Sequence, residues 1–450
     1  MSDGCRPVAD LTAHRLRALL AHEQATARLP SVCAGVVRGP GLVWTGEHGA
    51  TTGTVPPSPD VQYRIGSITK TMTAVLVMQL RDEGQIDLAD RLDHHLPGVG
   101  YGDRTIRSLL SHSSGMQSEP EGPWWERSPG VPFEELVRGI DGGRAAHPPG
   151  ATYHYTNLAF GLLGELVARH RDVSWWDVVC ARLLEPLGMA RTSYLPEPPA
   201  ATGYSVHHFA GTLTEEPAHD AGAMAPAGQV WSTVNDLALW ARFLRDGDER
   251  VLSAATLQEM ATPQSGSAVD GLAGGYGLGL RLVSGGSGML VGHTGSMPGF
   301  LAGLLVDRPR GTAAVVLANG TSGLRCEGFP ADLLATLEDL EPSLPAPWEP
   351  NGSVPAQVEE VLGVWHWGNT AFAFAWTGAE LAVSKLSTGV EAHRFRPCQD
   401  GGFLGTAGYH HGERLHVVRD QHGTINHLEC ATFIYTRSPY DPAAPIPGGV

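Results

Sequence analysis

The spacing of apolar positions changes several times along the chain. Near the N-terminus Leu11, Leu16, Leu19 and Leu20 recur at helical spacing and predict an amphipathic first helix. Two strand-like runs, Ser31–Arg38 and Leu42–His48, flank the turn cluster Gly39-Pro40-Gly41 and predict an antiparallel hairpin. Gln62–Gly66 reads as a short approach strand. Ser67–Asp82 then places Met72, Val75, Leu76, Gln79 and Leu80 on one mostly apolar helical face, with Gly84 as the stop signal. From about residue 85 to 245 the pattern is mainly helical with long loops; Thr105–Ser111, Phe133–Ile140, Ala159–Arg169, Trp175–Leu184 and Asn235–Leu244 suit helices. Strand character returns at Gly277–Val283, Leu290–His293, Leu301–Asp307 and Ala313–Ala318, and Cys326–Leu340 reads as a closing helix. β elements from both ends bracket a helical middle. One sheet built from both ends of this region, with a helical insertion, is the arrangement expected.

Glu341–Pro355 holds five prolines and no period, which marks a stiff linker. Period-2 runs follow it. Ala371–Trp376 alternates small and aromatic residues, and Arg414–Arg419 and Thr424–Phe433 flank the turn Asp420-Gln421-His422-Gly423. The expected organisation is a mixed α/β domain over residues 1–340, a linker over 341–356, and a small all-β domain over 357–450.

Composition narrows the function classes. Of 450 residues 42% are hydrophobic and 17% charged, which excludes a disordered chain. A net charge of -16 argues against nucleic acid and against anionic membranes as partners. No apolar run approaches the length of a membrane span, and the N-terminus lacks a basic stretch followed by an apolar one, so a cytoplasmic location is expected. Six scattered cysteines without a CxxC pair read as free thiols. The chain has only two lysines, Lys70 and Lys385; arginine supplies the rest of its positive charge. Arginine stays protonated, whereas a desolvated lysine can lose its proton, which is one reason to keep a lysine at a catalytic position.

Three short motifs carry candidate chemistry. In Ser67-Ile68-Thr69-Lys70 the serine and lysine share one helix face at the positive helix end, as a nucleophile and its base require; a solvated helix start would look the same. Tyr155-Thr156-Asn157 precedes a helix. It offers a proton-transfer phenol and an amide for a substrate carbonyl, or else a packed tyrosine with an N-capping asparagine. His293-Thr294-Gly295-Ser296 ends a strand signal. Its glycine admits a ligand backbone, and the Ser296 N–H, with that of Ser67, suits an oxyanion hole; a turn histidine with a glycine bend is the bland alternative. The adjacent pairs His94-His95, His207-His208 and His410-His411 show no acidic partner at ligand spacing, so no metal and no cofactor is assigned. Cys180 reads as core and His112 as structural, while Trp124-Trp125 either wall a cleft or pack.

In order and spacing, SxxK, YxN and HTG resemble the serine β-lactamase and penicillin-binding-protein superfamily, nearest its class C branch. Arg64-Ile65-Gly66-Ser67, Leu109–Gly115, Pro186–Met189 and Pro298-Gly299-Phe300 agree, and the resemblance spans roughly residues 12–340. The C-terminal region resembles the lipocalin-like β domain of some members. The resemblance implies an antiparallel sheet flanked by helices with an all-helical subdomain. It implies Ser67 as acylated nucleophile, Lys70 as its base and Tyr155 as proton relay. It further implies Asn157, His293, Thr294, Gly295 and Ser296 as substrate-contacting positions. Many β-lactamases carry lysine where this chain has His293. A histidine of ordinary pKa, about 6.5, is mostly neutral at pH 7 and suits a substrate carboxylate poorly. The HTG form resembles the esterase, peptidase and peptide-cyclising branches instead. The expectation is a serine hydrolase acting through an acyl-enzyme on esters or amides of small or peptidic substrates, including D-residues. One alternative is a thioesterase of penicillin-binding-protein type that takes its substrate from a peptidyl carrier protein and releases and cyclises nonribosomal peptides. A non-catalytic penicillin sensor or scaffold is the other.

Overall fold

The computed structural model describes residues 6–50, 56–266, 274–285, 288–344 and 347–439. Contacts divide the chain into two units, residues 1–343 and 344–450. Among the described residues no helix is long and apolar enough to cross a membrane, and Cys33, Cys180, Cys326, Cys398 and Cys430 are free thiols.

The first unit is built on an eight-stranded antiparallel sheet. Its strands are β1 (Ser31–Arg38), β2 (Gly41–Gly49), β3 (Ser265–Gly266), β4 (Gly274–Tyr276), β5 (Arg281–Gly285), β6 (Gly288–Met297), β7 (Phe300–Asp307) and β8 (Thr312–Ala318). Their spatial order is β2-β1-β8-β7-β6-β5-β4-β3. The N-terminal hairpin thus docks on the last strand, with Val32 opposite Ala318 and Arg38 opposite Thr312. This is the sheet from both ends that the strand signals implied.

The central strands are buried on both faces, which is why they read as unbroken apolar runs. Cys33, Val37, Ala313, Val315 and Leu317 face a core shared with α2 (Thr69–Asp82), α3 (Asn157–Arg171) and α4 (Val234–Asp246). The alternate residues, Val32, Ala34, Val36, Ala314, Val316 and Ala318, face Leu16 and Leu20 of α1 (Asp10–Ala27) and Phe329, Leu333 and Leu337 of α5 (Gly328–Leu340).

Several boundaries differ from the sequence reading. Only Arg281–Val283 of the run Gly277–Val283 is strand, within β5; residues 277–280 form the turn after β4, where Gly279 takes φ +76° and Gly277 N–H bonds to Leu280 O at 2.8 Å. Trp175–Leu184 starts as α-helix and continues from Cys180 as π-helix. Cys180 is only half-buried at that junction. The helical middle also holds a small hairpin, Tyr204–Val206 with Leu213–Glu215. Its residues are too polar and exposed to signal a strand.

The second unit is an antiparallel meander of eight strands from Gly363 to Tyr435, each pairing with the next in sequence. His366 in the first strand exchanges backbone hydrogen bonds of 2.7 and 2.9 Å with Thr436, just past the last, so the meander returns on itself as a near-barrel. Trp365, Phe374, Leu381, Val383, Phe395, Phe403, Leu415, Leu428 and Tyr435 fill its interior.

Candidate active site

The approach strand Tyr63–Arg64 pairs with Trp231–Ser232 and delivers the chain to a single 3₁₀ turn, Gly66–Ile68, that runs into α2. Ser67 therefore stands at the positive end of a helix, and Lys70 lies one turn on, on the same side. Lys70 is fully buried. Its Nζ lies 2.9 Å from Ser67 Oγ and donates to Ala227 O at 2.7 Å. Burial lowers the Lys70 pKa to about 7, although Glu119 and Glu126 act to raise it. A neutral amine has two N–H groups and one lone pair. It keeps one N–H on Ala227 O and can turn the lone pair to the Ser67 hydroxyl proton.

Tyr155 is half-buried; Ser67 lies against its hydroxyl, and its ring centroid lies 5.1 Å from Lys70 Nζ. Burial pushes the phenol well above its ordinary pKa, so it stays protonated. Ser67, Lys70 and Tyr155 thus form one cluster with a single group poised to take a proton near neutral pH, Lys70. Asn157 opens α3, but the cap is Thr156, whose Oγ1 accepts the Ala159 N–H. That frees the Asn157 amide, which donates to Glu119 Oε1 at 2.6 Å. The Trp125 indole donates to the other oxygen at 2.8 Å. Trp125 belongs to the wall of this site, whereas Trp124 is largely exposed.

His293-Thr294-Gly295-Ser296 does not end a strand; β6 runs through it to Met297. Its pairing with β5 stops at Gly292, so residues 293–297 present an open edge on that side. The turn bearing Ser67 fills that edge. Cβ atoms built on the two glycines measure how closely. One on Gly295 would lie 2.0 Å from Ile65 O, and one on Gly66, which has φ +51°, would lie 2.5 Å from Ser296 N. Only glycine permits this approach, and it brings the backbone of Ser296 beside the turn that carries Ser67.

His293 is 2% exposed. Its Nδ1 lies 2.5 Å from Thr294 O and its Nε2 2.8 Å from the Tyr276 hydroxyl. A carbonyl only accepts, so Nδ1 carries the proton and Tyr276 O–H donates to Nε2. Burial and the neighbouring Lys70 lower the His293 pKa to about 3. The ring is neutral more firmly than an ordinary histidine, and both nitrogens are engaged within the protein.

Two contributors lie outside the three motifs. Glu119 sits in a loop with no motif around it. His112, read as structural, packs its ring at a tilt 4.2 Å from that of Tyr155 and edge-on 4.5 Å from that of Tyr276. Its Nδ1 accepts the Thr156 N–H at 3.1 Å, and its Nε2 is buried without a hydrogen-bond partner. Nothing in the stretch Leu109–Gly115 marks His112 for this place; its φ of +53° belongs to the folded loop.

Residues 16–337 match the family model described as Beta-lactamase, and residues 354–437 match one described as a domain of unknown function (DUF7586). Penicillin-binding protein 4 of Amycolatopsis lactamdurans is 32% identical over 286 residues, covering 58% of this chain and 73% of that protein. Further relatives are matched over about half of their own length. Among solved structures, a D-stereospecific amidohydrolase from Streptomyces is 28% identical with a TM-score of 0.60, over 74% of this chain and 99% of that one. The octameric penicillin-binding protein homologue from Pyrococcus abyssi is 22% identical with a TM-score of 0.67, over 95% of this chain and 100% of that one. Fold, motif geometry and a match across most of the chain agree: it belongs to the Beta-lactamase family of serine hydrolases.

Proposed function

We propose that this chain acylates Ser67 and hydrolyses amides or esters of amino acids or short peptides that carry a free α-ammonium group, D-residues included. The observation that carries the reading is the charge around Lys70. The Glu119 and Glu126 carboxylates act on it, and His293 opposite is neutral. Such a site attracts a substrate ammonium and lacks a histidine cation for a carboxylate. The likeness to the D-stereospecific amidohydrolase supports the D-residue part.

In the proposed cycle neutral Lys70 takes the Ser67 proton as Oγ attacks the carbonyl carbon. The N–H groups of Ser67 and Ser296 hold the oxyanion. Tyr155 passes a proton from Lys70 to the leaving group, which departs as the C–N or C–O bond breaks. Water enters by the reverse proton path and releases the acid. Asn157 and Thr294 line the acyl side, and His293 and Gly295 shape the wall.

A substrate panel tests this reading. D-phenylalanine amide and its p-nitroanilide are expected to turn over at least about tenfold faster than their N-acetyl forms, with Glu119→Gln erasing most of the difference through KM. Preference for the acetylated forms contradicts the ammonium assignment. A cyclised rather than linear product from a peptidyl thioester would instead favour the thioesterase reading.

The Lys70 pKa sets a pH profile. With a p-nitrophenyl ester lacking an amine, kcat/KM is expected to fall tenfold per unit below pH about 7, because protonated Lys70 cannot accept the serine proton. The limb should level above that pH. A rate flat down to pH 5 contradicts a lysine base.

A further inference from the structure

Inside the β unit lies a polar cluster that the hydrolase chemistry does not use. His410, Glu413 and Cys430 bring a ring nitrogen, a carboxylate oxygen and a thiol within 4.8 Å of one another. His410 Nδ1 lies 2.6 Å from Glu413 Oε2, and Cys430 Sγ lies 3.7 Å from the same oxygen. His410 and Cys430 are both fully buried. The expectation that the pair His410-His411 has no acidic partner at ligand spacing is overturned here. The fold adds Glu413 one turn on and Cys430 from a neighbouring strand.

The surroundings are built to hold this arrangement. The connection that carries His410 and Glu413 folds back on the strand Phe403–Gly408, with Gly405 N–H on Glu413 O at 2.8 Å and Gly412 N–H on Gly405 O at 2.9 Å. A Cβ on Gly405 would lie 1.8 Å from His410 O, so that position must be glycine for the connection to seat His410 inside. The second ring nitrogen, Nε2, lies 3.2 Å from the Tyr435 hydroxyl. A second histidine points to a ligand independently. His393 is 9% exposed, its ring centroid lies 4.6 Å from that of His410, and its Nδ1 is buried with no hydrogen-bond partner. Burying such groups in an apolar interior is unfavourable unless something satisfies them. Glu413, whose side chain is 40% exposed, opens the cluster to solvent.

We propose that His410 Nδ1, a Glu413 carboxylate oxygen and Cys430 Sγ bind one zinc-class divalent metal ion, with His393 or a water as fourth ligand. Nitrogen, oxygen and thiolate together suit zinc or cobalt, and the thiolate excludes magnesium and calcium as the preferred ion. Binding replaces the Cys430 S–H bond by a sulfur–metal bond and releases that proton to solvent. The Nδ1 proton gives way to the metal, and a proton on Nε2 then faces Tyr435, the usual outer hydrogen bond of a metal-bound histidine. The ion would tie the connection to the strand that carries Cys430 and stabilise the β unit; the hydrolase site has no part in it.

The test uses the full chain, freed of metal by a chelator and titrated with Co²⁺. One equivalent should bind and produce a thiolate-to-cobalt charge-transfer band in the near ultraviolet. Cys430→Ser should abolish the band, and Cys398→Ser should leave it intact. Glu413→Gln, at a partly exposed position where a folding defect is least expected, should weaken binding at least about tenfold. X-ray absorption of the zinc-loaded wild type needs no variant and should show one sulfur at about 2.3 Å among nitrogen and oxygen neighbours at about 2.0–2.2 Å. No charge-transfer band in the wild type, a metal shell without sulfur, or undiminished binding by Glu413→Gln overturns the proposal and leaves a buried polar network. Ester hydrolysis at Ser67 should be equal with and without the metal, which separates this test from that of the hydrolase reading.

Discussion

Lys70→Arg and Ser67→Ala are each expected to lower kcat/KM for ester substrates by about 10³-fold or more, with no further loss in the double variant. The reasoning is local. Lys70 is fully buried, and its Nζ lies 2.9 Å from Ser67 Oγ and 2.7 Å from Ala227 O. That burial lowers its pKa to about 7. An arginine keeps a positive charge but cannot act as the base. In the proposed cycle serine and lysine perform one step together, so removing either removes the step. Steady-state kinetics of the three variants check this. A Lys70→Arg enzyme within tenfold of the wild type contradicts the base assignment, and additive losses contradict the shared step.

Gly66→Ala is expected to be nearly as damaging, though Gly66 carries no reacting group. Its φ of +51° is one that alanine adopts only under strain, and the added Cβ would meet Ser296 N at 2.5 Å and Ser296 O at 2.8 Å. Backbone cannot swing aside as a flexible side chain can. The turn bearing Ser67 must move away from β6, and the two N–H groups lose their common focus. Losing one oxyanion donor lowers the rate about 10²- to 10³-fold. The strain should also lower stability by about 1–3 kcal/mol. Denaturant unfolding and kinetics on one preparation separate the two effects. Wild-type kcat/KM in Gly66→Ala contradicts the close fit between Gly66 and Ser296.

The elements that position the nucleophile were legible because they are local. The apolar face from Met72 to Leu80 and the turn at Gly84 announce α2, and buried strands such as Ala313–Ala318 announce themselves by unbroken hydrophobicity. The motif residues of the site were legible for the same reason, since SxxK places its two groups within one helical turn. What stayed hidden depends on contacts across long separations. Glu119 meets Asn157 only because a loop folds beneath α3. His112 packs on Tyr155 across more than forty residues. The part of β6 past His293 was missed because Gly295 looks like a strand breaker, whereas a close neighbour requires it there: a Cβ on Gly295 would lie 2.0 Å from Ile65 O. In the β unit, His410 and Glu413 share a turn, but Cys430 joins them only when the meander folds back.

The central claim is a covalent acyl group on Ser67 formed with a neutral lysine as base. Its most direct measurement is intact-protein mass spectrometry with peptide mapping after rapid quenching of the enzyme with a D-phenylalanyl ester, at pH 8 and at pH 5. A one-acyl mass increase mapped to Ser67 is expected, formed rapidly at pH 8, strongly slowed at pH 5 and absent in Lys70→Arg. Turnover without any adduct, or an adduct on another residue that forms equally well in Lys70→Arg, would contradict it.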